Sequence, residues 1–162
     1  MFVDSDFAGC PRTRKSTAGG CAMYGAHCLK SFAKTLPILA LSTGEAELMA
    51  VVKGTTEALG LQALLVDLGQ ETKVAVKSDA TAAIGIVGRL GLGKVRHLSV
   101  ANLWIQQAAR AGRVAYSKIP GQVNPADMFT KAVDSDTMRR HSRCIGQEEM
   151  DGRSLLAPQR RK

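Results

Sequence analysis

The stretch that most constrains this chain runs over residues 41–69, LSTGEAELMAVVKGTTEALGLQALLVDLG, where Leu48, Val51, Val52, Thr55, Leu59 and Leu65 recur mostly at intervals of three and four. That spacing predicts a long helix with one apolar stripe. Ser42 or Thr43 can cap it with Glu45 or Glu47 a few residues on, and Gly69 fits its C-terminal stop. The stripe needs a surface to cover it, and the flanking segments supply strands. Phe2 and Val3 lead into Asp4 as a strand, broken by Ala8, Gly9 and Pro11; Gly20 to Phe32 reads as two short strands joined by a turn; KVAVKS and RVAYSKIP read as two more. Between and after them, TAAIGIVGRL, a stretch from about Leu98 to Ala111, and PADMFTKAV with Pro125 at its first position are expected to be helical. Strand and helix alternating after an early meander predict an α/β fold, a mixed sheet flanked by helices.

With 162 residues the chain can bury a core of its own. One domain is expected over residues 1–133. Residues 134–162 carry seven Lys or Arg and five Asp or Glu with few large apolar side chains, and are expected to form a basic, disordered tail. A net charge of +8 and a pI of about 9.6 favour a polyanionic partner such as nucleic acid. No apolar run approaches the ~20 residues of a membrane span. The start, MFVDSDFAG, has an aspartate where a signal peptide carries its basic and apolar regions. An intracellular protein, cytoplasmic or nuclear and not secreted, is therefore expected. Cys10, Cys21, Cys28 and Cys144 form no C-x-x-C pair and read as ordinary reduced thiols.

Four carboxylates stand in recognisable settings: Asp4 in VDSDFAG, Glu47 in GEAELMA, Asp79 in VKSDA and Asp127 in NPADMFTK. Each alone also suits a local task, as turn former, capping-box partner, helix cap or first-turn acid. Together they suggest more. Asp4 and Asp79 each end a strand, and parallel neighbours would place them side by side at one carboxyl edge. Glu47 in the first turns of the long helix, and Asp127 near the start of the last one, can join them there. Clustered carboxylates raise one another's pKa unless a cation compensates. Magnesium takes oxygen ligands and keeps several waters; two such ions ~4 Å apart stabilise both the attacking water and the leaving oxygen of a phosphodiester displacement. Phosphodiester hydrolysis is the chemistry this set implies.

SDFAGCPRTRKSTAGGCAMYG, LSTGEAELMAV, KSDATAAI, RHLSVANLWIQ and NPADMFTKAV, in that order, resemble the motifs of the ribonuclease H domain at the end of copia-type LTR retrotransposon polyproteins. The resemblance covers residues 2–133. It implies a ribonuclease H-like, five-stranded mixed sheet flanked by helices, and endonucleolytic cleavage of the RNA strand of RNA:DNA hybrids during reverse transcription. It also implies two Mg2+ ions, for which Mn2+ can substitute. Carried over by position, the catalytic and metal-binding acids are Asp4, Glu47, Asp79 and Asp127. Glu47 is preferred to Glu45 because it directly precedes Leu48-Met49-Ala50, as the family's catalytic acid does; Glu45 is expected to serve the cap. Phosphate contacts are expected from Arg12, Arg14 and Lys15, and from Lys94, Arg96 and His97, with the RNA strand known by its 2′-hydroxyls. The implied partners are the hybrid and the reverse transcriptase domain of a parent polyprotein, with no membrane, and the isolated domain is expected to be a monomer. The chain also departs from the family. Met1 stands almost against Asp4, an N-terminal truncation of the first strand, and Ser99, Leu103, Gln106 and Gln107 replace an acid, a second histidine and an Arg-Glu pair. These departures raise an alternative, a catalytically weak or inactive remnant that only binds nucleic acid.

Overall fold

The computed structural model describes residues 1–91 and 100–147. Strands β1 (Phe2–Ser5), β2 (Thr17–Tyr24), β3 (His27–Thr35), β4 (Val74–Ser78) and β5 (Val114–Lys118) form one sheet in the order β3-β2-β1-β4-β5. The first three make the expected antiparallel meander, turning at Gly25 with φ +59°, a left-handed position that glycine takes without strain. β4 runs parallel to β1, and β5 parallel to β4. The sheet is mixed, as the sequence implies, and this is the ribonuclease H-like architecture.

Helices α1 (Thr43–Asp67), α2 (Thr81–Val87) and α3 (Trp104–Arg110) flank it. Leu48, Val51 and Ala58 of α1 meet Val3, Val74 and Val76 of the sheet, together with Ile86, Ile105 and Val114. Each such fully buried Leu, Ile or Val contributes about 1.5–3 kcal/mol. By length and composition alone α1 could cross a membrane, yet it rests on the sheet, and its Lys53 and Glu57 are ion-paired. Its N-terminus is closed reciprocally: the Glu45 N–H donates to Ser42 Oγ at 3.2 Å, and the Leu41 N–H donates to Glu45 Oε2 at 2.6 Å. Glu45 thus serves the cap. The helix ends at Asp67, with Gly69 at φ +77° just beyond.

The other face of the sheet is covered from the C-terminal side. Side chains alternate along a strand. Ala18 of β2 packs on Ala46 and Ala50 of α1, so its neighbour Gly19 faces away from that helix. A Cβ on Gly19 would stand 2.6 Å from Thr130 Cγ2 and 2.8 Å from Phe129 Cβ; its absence lets the following turn lie flat on the sheet. That turn is a 3₁₀ helix, Pro125–Phe129, where an α-helix over PADMFTKAV was expected. At its end Thr130 reaches Asp4 with its hydroxyl. The expected disordered tail also needs correction over its first part, because Ser135–Cys144 form helix α4. Asp134 caps it by accepting from the Thr137 N–H at 2.9 Å, and His141 and Ile145 are 1% and 2% exposed. Two inward residues suffice to seat a short, otherwise charged helix. Residues 148–162 lie outside the described residues. So does the start of the expected third helix; its described part is a 3₁₀ turn, Val100–Leu103, leading into α3.

Candidate metal centre

The parallel register of β1 and β4 fixes the first two acids. Phe2 stands opposite Lys77, and two residues further along each strand bring Asp4 level with Asp79. Asp127 arrives from the 3₁₀ helix laid on Gly19, the residue paired with Asp4 across β1 and β2. Asp4, Asp79 and Asp127 each present a carboxylate oxygen, all within 4.8 Å of one another. The fourth acid, Glu47, lies outside this closest group but near it, since the charges of Asp4 and Asp79 act on it. Asp79 is not a helix cap: that position falls to Ala80, which makes no side-chain capping bond.

The cluster is held by neighbours that the sequence did not single out as functional. Asn124, fully buried, donates from Nδ2 to the Val3 carbonyl at 3.0 Å and to Asp79 Oδ1 at 3.5 Å, while its own Oδ1 accepts from the Ala126 N–H at 3.2 Å. One side chain thereby ties β1, Asp79 and the 3₁₀ helix together. Its setting before Pro125, at a helix N-cap, was the available signal. The Thr130 hydroxyl bonds Asp4 Oδ2 and lies 3.1 Å from the Asp127 carbonyl. Lys131 Nζ pairs with Asp127 Oδ2 at 3.0 Å and reaches Asp4 Oδ2 at 4.0 Å.

Electrostatics follow from this crowding. Burial and the Asp127 and Asp79 charges raise the Asp4 pKa against the opposing help of Thr130 and Lys131. Burial, then repulsion from Asp4 and Asp79, pushes Glu47 up to about 8. Burial pulls on Lys131 in the other direction, but its bond to Asp127 and the surrounding carboxylates hold its ammonium above the ordinary value. Glu47 Oε2 and Asp127 Oδ1 are buried without a hydrogen-bond partner. An all-oxygen set carrying excess negative charge, with two buried lone-pair atoms unsatisfied, fits a hard divalent cation such as Mg2+ or Mn2+.

The proposed phosphate contacts divide. Arg12 and Arg14 are exposed on the β1–β2 loop, where Arg14 adopts φ +56°. Lys15 donates from Nζ to the Pro37 carbonyl at 2.7 Å, so it arrives with one partner already. Lys94, Arg96 and His97 lie outside the described residues.

No protein-family profile matches the chain. Over 147 residues, 90% of its length, it is 29% identical to a retrovirus-related Pol polyprotein from transposon TNT 1-94 of Nicotiana tabacum. The chain is similar in sequence to a retrotransposon Pol polyprotein. It spans 11% of that polyprotein, so it corresponds to one part of a much longer protein. A second match, 39% identical over 56 residues, is to an uncharacterized mitochondrial protein of Arabidopsis thaliana and covers 35% of this chain and 23% of that protein. By extent alone the Pol match takes in Glu47, Asp79 and Asp127, because 147 of the 162 residues are aligned.

Proposed function

We propose that this Pol-related chain is a metal-dependent endonuclease that cuts the RNA strand of RNA:DNA hybrids formed during reverse transcription. The observation that carries the reading is the meeting of Asp4, Asp79 and Asp127 within 4.8 Å at the carboxyl edge of two parallel strands, with the unpartnered Glu47 Oε2 beside them. Asp4, Glu47, Asp79 and Asp127 would hold the divalent ions, two in number. When bound, such ions supply an activated water and neutralise charge on the leaving oxygen. The chain's own residues do the rest. Asn124 steadies Asp79, Thr130 orients Asp4, and the buried floor of Val3 and Leu48 keeps the acids from relaxing apart. Arg12 and Arg14 bind phosphates along the hybrid without reading bases. In this reading residues 1–133 are the working domain, acting inside the cell, in cytoplasm or nucleus, beside the reverse transcriptase of a parent polyprotein.

The test is cleavage of a labelled RNA:DNA hybrid in Mg2+ or Mn2+ by the protein and by Asp79→Asn, which keeps the shape and removes a ligand charge. Cutting by the first and not the second is expected. No cutting by either, with salt-dependent hybrid binding retained, would instead establish a binding-only remnant.

A further inference from the structure

The acidic cluster is not symmetric. Its Asp4–Asp127 side already contains a cation, Lys131 Nζ, at 3.0 Å from Asp127 Oδ2 and 4.0 Å from Asp4 Oδ2. On its Glu47 side the Lys131 charge is felt without an ion pair among the described residues, and Glu47 Oε2 is buried with no hydrogen-bond partner. We propose that Lys131 is the resident counter-ion of the Asp4–Asp127 side, so that divalent ions load in order: one on Asp4, Glu47 and Asp79 with Lys131 in place, and a second only after Lys131 swings out. This rests on the metal-site reading above and adds the sequence of loading and the residue that controls it.

Three features support the ordering. A magnesium-sized ion ligated by both Asp127 and Asp4 needs each oxygen at ~2.0–2.1 Å, and the ammonium stands between those same two carboxylates, with like charge to oppose entry. The Lys131 side chain is half exposed, at 50%, and its long stem can carry the charged head into solvent while the backbone stays put. The backbone is anchored, because the Lys131 N–H donates to the Asp127 carbonyl at 3.2 Å and neighbouring Thr130 is bonded to Asp4. Leaving therefore takes a side-chain rotation with no refolding of the turn.

Mn2+ titration followed by the electron paramagnetic resonance signal of the free ion tests this on the whole chain, alongside thermal melts in EDTA. The wild type is expected to show one tighter and one weaker ion. Lys131→Met is expected to tighten the weaker ion roughly tenfold and leave the tighter one within about twofold, in the range usual for coupled sites. Lys131→Gln serves as a second variant and is expected to behave alike. Glu47→Gln is expected to abolish the tighter ion, and Asp127→Asn the weaker. In EDTA, Lys131→Met is expected to melt below the wild type, because the carboxylates lose their compensation. Equal Mn2+ affinities in wild type and Lys131→Met, or tightening confined to the ion that Glu47→Gln removes, would overturn the ordering while leaving the metal site intact. Absence of Mn2+ binding by every variant, with normal melts, would overturn the metal-site reading and the ordering with it.

Discussion

Glu47 is the place where folding and function pull hardest against each other. Its pKa rises from 4.5 to about 8 in the folded, metal-free protein, through burial and then the Asp4 and Asp79 charges. At 1.36 kcal/mol per pKa unit, that climb sets an upper limit of about 5 kcal/mol on the cost of ionising the side chain in place. The carboxyl is only partly buried, so solvent screening reduces the expected cost to about 2–3 kcal/mol. The sign follows from proton counting. Between pH 4.5 and about 8 the folded state holds a proton on Glu47 that the unfolded state has released, so stability falls as pH rises through that window and levels off above it. Glu47→Gln removes the titration. In urea melts with EDTA, the variant is expected to match the wild type near pH 4.5 and to exceed it by about 2–3 kcal/mol at pH 8.5. Asp4, also raised, leaves a residual slope at the acid end. Parallel pH profiles for the two proteins would refute the reasoning. Added Mg2+ at pH 8.5 is expected to stabilise the wild type and to help the variant far less, since its ligand is gone.

Three further perturbations probe the supports. Gly19→Ala puts a Cβ within 2.6 Å of Thr130 Cγ2, lifts the 3₁₀ helix off β2, and is expected to cost about 1–3 kcal/mol in a thermal melt and to weaken Mn2+ binding. Asn124→Ala strips the buried Val3 carbonyl of its donor and the 3₁₀ helix of its cap, with an expected loss of about 2–3 kcal/mol by urea denaturation. Arg12→Ala with Arg14→Ala is expected to lower the log–log salt slope of hybrid binding by about two, close to one per lost phosphate contact, without changing sequence preference.

Much of the fold was legible because local signals agreed with one another. The three-and-four spacing of Leu48, Val51 and Thr55 set α1, and the family motif, whose acid directly precedes Leu48-Met49-Ala50, left Glu45 for the cap, where its bonds to Ser42 and Leu41 place it. Asp4 and Asp79 could be placed together because each follows a short apolar strand. The rest depended on contacts across long stretches of chain. A side chain at Gly54 would run into Val3, so its bareness is what lets the helix settle on β1. Gln106, read as a departure from the family's charged pattern, turns inward and bonds the Ile86 and Gly91 carbonyls at 2.8 and 3.0 Å, a task no local pattern announces. PADMFTKAV has helical composition, yet it forms a single 3₁₀ segment, and the bond from Thr130 to Asp4 spans too much chain for any local pattern to announce it. Helix α4 was hidden because only His141 and Ile145 of its region point inward, too few for a periodic stripe.

The bond from Thr130 to Asp4 joins residues 126 apart in the chain. At roughly 5–20 residues per second of synthesis, about 6 to 25 seconds separate the appearance of the first acid from that of its partner. A nascent or prematurely terminated chain therefore carries Asp4, Glu47 and Asp79 without the residues that close the cluster around them. Whatever chemistry the finished centre performs is withheld until Asn124, Asp127 and Thr130 have been made, so synthesis of that one turn acts as its timer.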